Sequence, residues 1–338
     1  MSQNNPTSTP MVSVTMAAFN VASYVEASLD SVLAQSFTDF ELIIVDDGSS
    51  DETPAILQGY ARRDSRIHLV LKDRNEGLAV ARNQGISAAR GQWVTFLDAD
   101  DLYHPEMLQL ALNAARAGDA EMVIWDYVVF SEEKQIPARA AALSDLRGMD
   151  PTDRNALLVR PAFAWTRLVR RDVLQRLKIT FPKGLTYQDF PVHWRLVTQL
   201  DRIALLPRRL AYYRQQPEAT TAGKGLKRAD YFIVLDQVEE FLLESGQFDS
   251  YADLLTGHQL NAWHGVYDII DPRHEATVGQ MIADRFTDRH LAYLAAGKPL
   301  RWQARAFFRA REGSHLDALA LHIRNTVRTL YRAIKSRL

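Results

Sequence analysis

Three carboxylates fall within four residues at Asp98-Ala99-Asp100-Asp101, directly after the apolar run Trp93-Val94-Thr95-Phe96-Leu97. Carboxylates are costly to bury without a partner, so such a cluster is either solvated or holds a cation. Asp98-x-Asp100 suits a hard divalent ion, Mg²⁺ or Mn²⁺, bound jointly with substrate phosphates. The plain alternative is an acidic loop that caps the next helix, and the triplet alone does not separate the two. A second acidic stretch, Asp46-Asp47-Gly48-Ser49-Ser50-Asp51, also follows an apolar run, Phe40 to Val45. A third, Phe181 to Trp194, contains Asp189 and His193.

These groups need elements to hold them. Met11 to Ala17 alternates Val12, Val14 and Met16 and reads as a strand, followed by the turn Ala18-Phe19-Asn20. Val25, Leu29, Val32 and Leu33 give a helix over about Val21 to Gln35. Phe40 to Val45 is the second strand. Gly48 supplies the turn after it, and Ser50 or Asp51 can cap a helix from Glu52 to Arg63. Ile67 to Leu71 is a third strand, Asn75-Glu76-Gly77 a turn and Leu78 to Arg90 a helix. The Gly91 stretch is the fourth strand. His104-Pro105-Glu106 opens a helix to about Ala117, and Glu121 to Val129 is the fifth strand.

Strands alternating with helices of about 10–15 residues indicate βαβ units and a mostly parallel central sheet with helices on both faces. Right-handed crossovers put the ends of the first, second and fourth strands on one edge. Phe19, Asp47 and the Asp98/Asp100 pair then converge, which suggests a nucleotide site. An aromatic ring can stack on a base, a carboxylate can accept from a base N–H or a ribose hydroxyl, and Asp-x-Asp can hold a metal on a diphosphate. Taken singly, a residue such as Phe19 is more often core than base platform, and Asp46-Asp47-Gly48 is more often a solvated turn. No G-x-G-x-x-G follows the first strand and no G-x-x-x-x-G-K-[ST] occurs, which disfavours a dinucleotide dehydrogenase and a P-loop NTPase.

The chain has 338 residues, 47% hydrophobic and 24% charged, so it can bury a sizeable core. It contains no cysteine, which removes disulfides, thiolate metal sites and cysteine nucleophiles and fits a cytoplasmic setting. The first ten residues are polar and lack the pattern of a signal peptide. The net charge of −1 hides an asymmetry: Lys298 to Leu338 carries ten Lys/Arg against two Asp/Glu. Such an imbalance is a partner signal.

Four segments together resemble the family 2 glycosyltransferases of GT-A fold. They are Val12-Ser13-Val14 through Phe19-Asn20; Glu41-Leu42-Ile43-Ile44-Val45-Asp46-Asp47-Gly48-Ser49-Ser50-Asp51; Asn75-Glu76-Gly77-Leu78-Ala79-Val80-Ala81-Arg82-Asn83; and Phe96-Leu97-Asp98-Ala99-Asp100-Asp101. The resemblance spans residues 11–130, and 160–222 more weakly. It implies an inverting transfer of a sugar from a nucleotide-diphosphate donor, usually UDP-linked, with Mg²⁺ or Mn²⁺. It puts Asp47 on the base, Asp98 against ribose and phosphate, Asp100 on the metal, and Phe19 and Asn20 at the donor. Arg82 is a candidate for the donor phosphates or an ordinary helix-surface charge. Phe19 stands where many members carry Tyr, so the ring can still stack but offers no hydroxyl.

An inverting transfer needs a base for the acceptor hydroxyl, and a carboxylate suits that role. By the resemblance, Asp189 falls at the base position, while the Glu usual before it is Gln188. The alternative for Asp189 is a cap on the helix Pro191 to Leu200, and His193 on that helix reads as packed. Residues 131–160 read as a variable loop with one short helix, Arg202–Leu206 and Arg209–Arg214 as strands, and Gln215–Gly225 as a loop that family analogy makes a lid.

The resulting organisation is a disordered N-terminus over 1–10, a catalytic domain over 11–222, and a helical C-terminal region over 226–338. Phe232, Leu235, Val238 and Leu242 recur at helical spacing, as do Leu316, Leu319, Ile323, Val327, Leu330, Ile334 and Leu338. The last helix is basic and amphipathic, fit either to pack on the body or to lie on an anionic membrane surface. The expected partners are a nucleotide-diphosphate sugar and a glycan or lipid-linked acceptor, with a place in cell-surface polysaccharide synthesis. A nucleic-acid partner is disfavoured because no recognised motif accompanies the basic residues. A contrasting reading is a non-catalytic sugar-nucleotide-binding scaffold at the membrane. Gln188 points that way, and the retained carboxylates point against it.

Overall fold

The computed structural model describes residues 9–132, 136, 144–215 and 223–309. The chain divides into two compact units. One comprises Met1–Gly184 and Gln188–Pro217, the other Leu185–Tyr187 and Glu218–Leu338.

The first unit is built on a sheet of eight strands among the described residues: β1 (Val12–Ala18), β2 (Phe40–Asp46), β3 (Ile67–Leu71), β4 (Trp93–Asp98), β5 (Leu102–Tyr103), β6 (Met122–Phe130), β7 (Arg167–Arg170) and β8 (Ile203–Arg214). Their order is β3-β2-β1-β4-β7-β6-β8-β5. The first four run parallel, with Ala17 of β1 level with Val45 of β2 and with Asp98 of β4. The inner strands β1 and β2 are buried on both faces: Val12, Val14, Leu42 and Ile44 on one, Ser13, Thr15, Ile43 and Val45 on the other.

The other half of the sheet is mixed. Strand β7 is antiparallel to both β4 and β6, and β5 pairs antiparallel with β8. Strand β5 has two residues, too few for a periodicity signal, so the expected fifth strand is β6. The two strands expected around Pro207 form one, β8. Its register against β6 slips from Trp125↔Leu206 to Asp126↔Arg209, passing over Pro207, which has no N–H for the ladder.

Helices α1 (Val25–Leu33), α2 (Thr53–Arg63), α3 (Leu78–Ala88) and α4 (Met107–Ala117) follow the expected pattern. Helix α4 buries Met107, Leu108, Ala111, Leu112 and Ala115, the stripe of an amphipathic helix laid on a sheet. Helices α5 (Arg154–Leu158), α6 (Arg171–Arg176) and α7 (Asp189–Gln199) complete the unit. Helix α7 begins at Asp189, two residues before the expected Pro191.

The second unit is helical: α8 (Asp230–Glu244), α9 (Phe248–Ile269), α10 (Glu275–Ala283), α11 (Asp288–Ala295) and α12 (Trp302–Arg309). The expected stripe Phe232, Leu235, Val238 and Leu242 is buried on α8. Phe232 packs in a core with Leu260, Trp263, Val278, Ile282 and Leu294. No helix among the described residues is long and apolar enough to cross a membrane. The basic helix expected over Leu316–Leu338, and residues 216–222 of the expected lid, lie outside the described residues.

Candidate active site

The adjacent ends of β1, β2 and β4 bring the predicted donor-side residues to one edge of the sheet. Phe19 is 43% exposed, so its ring is not core. Asn20 has φ of 50°, a left-handed conformation that Asn tolerates, and it laces the first two loops together. Its Oδ1 accepts from Ser50 N at 2.8 Å and its N–H donates to Ser49 Oγ at 2.9 Å. Asp51 accepts from Thr53 N at 3.0 Å and Ala22 N at 3.1 Å, so it ties the loop as well as the start of α2.

Asp47 is buried and already well supplied with donors. Its Oδ1 accepts from Lys72 Nζ at 2.5 Å and Glu76 N at 3.1 Å, and its Oδ2 from Gly77 N at 2.7 Å. Lys72 also pairs with Glu76 at 2.7 Å. Burial pulls the Lys72 ammonium down, but its two carboxylate partners outweigh this and hold it above its ordinary value. Asp47 therefore orders the Asn75-Glu76-Gly77 turn that starts α3. Sequence reasoning did not single out Lys72, which carries no local signal.

From α3, Arg82 reaches two of the predicted carboxylates at once. It is 4% exposed, with one terminal nitrogen 2.7 Å from Asp98 Oδ1 and the other 2.5 Å from Asp189 Oδ1. Its guanidinium also lies 5.2 Å from the centre of the Phe181 ring. Burial works against the charge, yet Asp189 and Asp98 outweigh it and keep Arg82 firmly protonated. The helix-surface reading of Arg82 is thereby excluded.

Asp189 is the first residue of α7, but its side chain does not cap that helix. Its Oδ2 instead accepts from Ala164 N at 3.4 Å. Burial pushes its carboxyl above the ordinary range, and Asp98 adds to this against the opposing pull of Arg82 and Arg167. Arg167 is itself buried and drawn down to about 10 by that burial. His193 is 1% exposed, between an Arg167 nitrogen at 3.2 Å and the Leu157 carbonyl at 3.1 Å, so it is packed. Gln188 is also buried, and its Oε1 has no hydrogen-bond partner among the described residues. A glutamate there would bury a charge.

The acidic turn is braced from two sides. Ser28 Oγ lies 2.9 Å from the Ala99 carbonyl and 2.7 Å from that of Asp101. Arg214, at the end of β8, donates from Nε to the Asp100 carbonyl at 2.9 Å and from its backbone N–H to Asp101 Oδ1 at 2.8 Å. Asp101 is 1% exposed. Burial drives its carboxyl well up, and the charges of Asp100 and Asp98 drive it further. Arg214 and Asp101 were absent from the expected site, although Asp101 stood in the acidic run.

Among the described residues no group of three or more His, Cys, Asp or Glu forms a metal cage. Mg²⁺ and Mn²⁺ sites that also use substrate phosphates need only one or two carboxylates. Asp98 gives Oδ1 to Arg82 yet keeps 28% of its side chain exposed, and with Asp100 it acts on the Asp101 carboxyl, so the turn offers the oxygen donors such an ion takes.

Residues 13–178 match the family model described as glycosyl transferase family 2. The resemblance to that family is thereby borne out over residues 13–178. It is 30% identical over 218 residues to the glycosyltransferase EpsJ of Bacillus subtilis (strain 168), covering 63% of each. It is 46% identical over 104 residues to TuaG of the same organism, named for teichuronic acid biosynthesis, covering 31% of this chain and 41% of TuaG. The chain thus spans less than two thirds of these relatives. Among solved structures, S. aureus TarS 1–349 in complex with UDP-GlcNAc superposes with a TM-score of 0.72 at 17% identity, covering 95% of this chain and 91% of that one. The mannosyltransferase PcManGT of Pyrobaculum calidifontis, in complex with GDP-Man and Mn²⁺, gives 0.53 at 18% identity, covering 94% and 87%. At these identities the likeness establishes the GT-A fold.

Proposed function

We propose that the chain is an inverting glycosyltransferase that moves a sugar from a nucleotide-diphosphate donor, most simply a UDP-sugar, to a hydroxyl of a glycan or lipid-linked acceptor. The observation that carries this is the pairing of Asp98 and Asp189 through Arg82: a donor-side carboxylate and a buried carboxylate of raised pKa are held in one site. The two differ in role because they differ in environment. Asp98 ends a strand at the exposed edge, whereas Asp189 is walled by apolar groups including Phe96, Phe181 and Val192.

In the reaction the acceptor oxygen bonds to the anomeric carbon as the bond from that carbon to the diphosphate breaks. The acceptor proton passes to Asp189, and the nucleoside diphosphate leaves with the bond pair. A carboxylate of raised pKa suits a general base, because proton transfer is most effective when the pKa approaches working pH. Phe19 offers its face to the base, and Asn20 and Asp47 hold the loops around it. Asp98 and Asp100 would hold Mg²⁺ or Mn²⁺, which when bound supplies positive charge against the leaving diphosphate. Arg82 bridges the two carboxylates and adds a fixed positive charge beside the donor edge. A role in cell-surface polysaccharide synthesis accords with the name of TuaG.

The test is a binding and turnover screen of UDP-, GDP-, dTDP- and CMP-sugars, with Mn²⁺ and with EDTA. Metal-dependent binding and slow hydrolysis of one donor are expected. No binding of any donor with metal present would overturn the reading.

A further inference from the structure

The segment that delivers Asp189 is tied down at two points. At its start, Asn83 on α3 makes a two-way pair with the backbone of Phe181. Its Nδ2 donates to the Phe181 carbonyl and its Oδ1 accepts from the Phe181 N–H, both at 2.8 Å. Further on, Leu185–Tyr187 belong to the helical unit, although the residues on either side of them do not. Thr186 donates from its N–H at 2.9 Å and from its hydroxyl at 2.8 Å to one oxygen, Asp230 Oδ2. Tyr187 stacks on Tyr231, with centroids 4.8 Å apart and planes at 30°. Asp230 and Tyr231 open helix α8.

The backbone of Tyr187 is strained. Its φ is 60°, a left-handed conformation that is rare for a bulky side chain and persists only where the surroundings enforce it. The ring stack and the Thr186 bonds supply that enforcement, and the mechanism above uses neither. Only Gln188 separates Tyr187 from Asp189, and two peptide steps span at most about 7 Å, so the chain direction set at Tyr187 is passed on to Asp189. Gln188 is buried, and its side chain does not cap α7. The start of that helix therefore takes its placement from the chain before it. The carboxylate of Asp189 depends on that placement. Arg82 holds its Oδ1, but the contact of its Oδ2 with Ala164 N is long, at 3.4 Å.

A base must sit within hydrogen-bond reach of the proton it takes, and a misplacement of about 1 Å can cost about a hundredfold in rate. We propose that Asp230 and Tyr231 are positioning residues for the reaction: by holding Thr186 and Tyr187 they fix where α7 begins and so aim Asp189. The proposal rests on Asp189 being the base of the glycosyltransferase reading. It gives the helical unit a part in the chemistry that runs through the chain rather than through substrate.

The experiment uses the full chain and two readouts. Hydrogen exchange followed by mass spectrometry reports the backbone amides of residues 185–194 and needs no turnover. Release of UDP from UDP-GlcNAc and of GDP from GDP-Man, with Mn²⁺, reports the chemistry. Asp230→Ala should speed exchange over 185–194 about tenfold or more and leave β1 and β4 as in wild type. It should lower kcat about tenfold or more, with the donor KM within about twofold of wild type. Asp230→Asn keeps an oxygen acceptor for Thr186 and should recover most of both losses. Tyr231→Leu removes the stack and should act in the same direction as Asp230→Ala. Combined with Asp189→Asn, Asp230→Ala should lower turnover no further, because it acts through that carboxylate. Unchanged exchange over 185–194, or an equal further loss in the Asp189→Asn background, would overturn the proposal. Faster exchange with turnover that Asp189→Asn leaves intact would instead sink the base assignment and leave the anchor standing. A thermal melt of each variant separates local loosening from unfolding.

Discussion

Asp98 and Asp189 share one guanidinium: the two terminal nitrogens of Arg82 take one carboxylate each, at 2.7 and 2.5 Å. Removing a cation from a buried pair leaves an uncompensated charge. Arg82→Ala should therefore lower stability by about 3 kcal/mol, measured by urea denaturation. Arg82→Lys keeps the charge but not the planar fork, so it should recover only part of this. Wild-type stability in Arg82→Ala would show that the bridge is not structural.

Asp189→Asn removes the proposed base while keeping size and most contacts. Turnover with donor and acceptor should fall on the order of a thousandfold, with nucleotide binding little changed. Because the base must be ionised, the wild-type rate should fall as pH drops through the Asp189 pKa. Burial raises that pKa, so the acid limb should lie above the ordinary aspartate value of about 4. A limb at or below that value would contradict the assignment.

Asp98→Asn and Asp100→Asn should each weaken Mn²⁺-dependent binding of a nucleoside diphosphate by about tenfold or more, seen by calorimetry. Binding without Mn²⁺ should be similar in wild type and variants. If both variants keep the full metal effect, these side chains do not hold the ion.

Gly48 has φ of +73°, and a Cβ there would lie 2.4 Å from the Arg74 carbonyl carbon. The close contact is to backbone, which cannot swing aside. Gly48→Ala should cost about 1–3 kcal/mol by thermal or urea unfolding and disturb the neighbouring Asp47 loop. A variant with unchanged stability and nucleotide binding would show that this loop tolerates displacement.

In the helical unit His290 is buried and neutral for a geometric reason. Its Nδ1 accepts from Thr287 N at 3.1 Å, and its Nε2 lies 3.1 Å from Gln259 Oε1. Protonation would turn the acceptor into a donor. Burial and Arg289 bring its pKa down to about 4. The unfolded chain then binds more protons between about pH 6.5 and that value, so stability should fall as pH drops through this window. His290→Gln preserves a side chain able to cap α11, and it should flatten that part of a melting-temperature profile. An equally steep profile in the variant would assign the effect elsewhere.

The first half of the fold was legible because its signals are local. Alternating β-branched runs, amphipathic helices and Gly-containing turns each occupy about ten residues, and right-handed crossovers leave few ways to join them. The second half was less so. Strand β7 is four residues and β5 two, and both pair with segments distant in sequence. Long-range pairing of short strands leaves no period to read.

At the site, sequence alone marked the carboxylates that need partners: those of the Asp98–Asp101 turn, Asp47, and Asp189. Carboxylates that follow an apolar strand need a partner, and that requirement is visible in residue order. Only the tertiary structure decided who the partners are. Arg82 binds two of these carboxylates, Lys72 a third, and Arg214 braces the acidic turn, each reaching across from a different element. The anchor of Thr186 and Tyr187 likewise comes from α8, 44 residues along the chain. Sequence order records what each side chain can do, whereas ion pairs and ring stacks act over a few ångströms and depend on what the fold sets side by side.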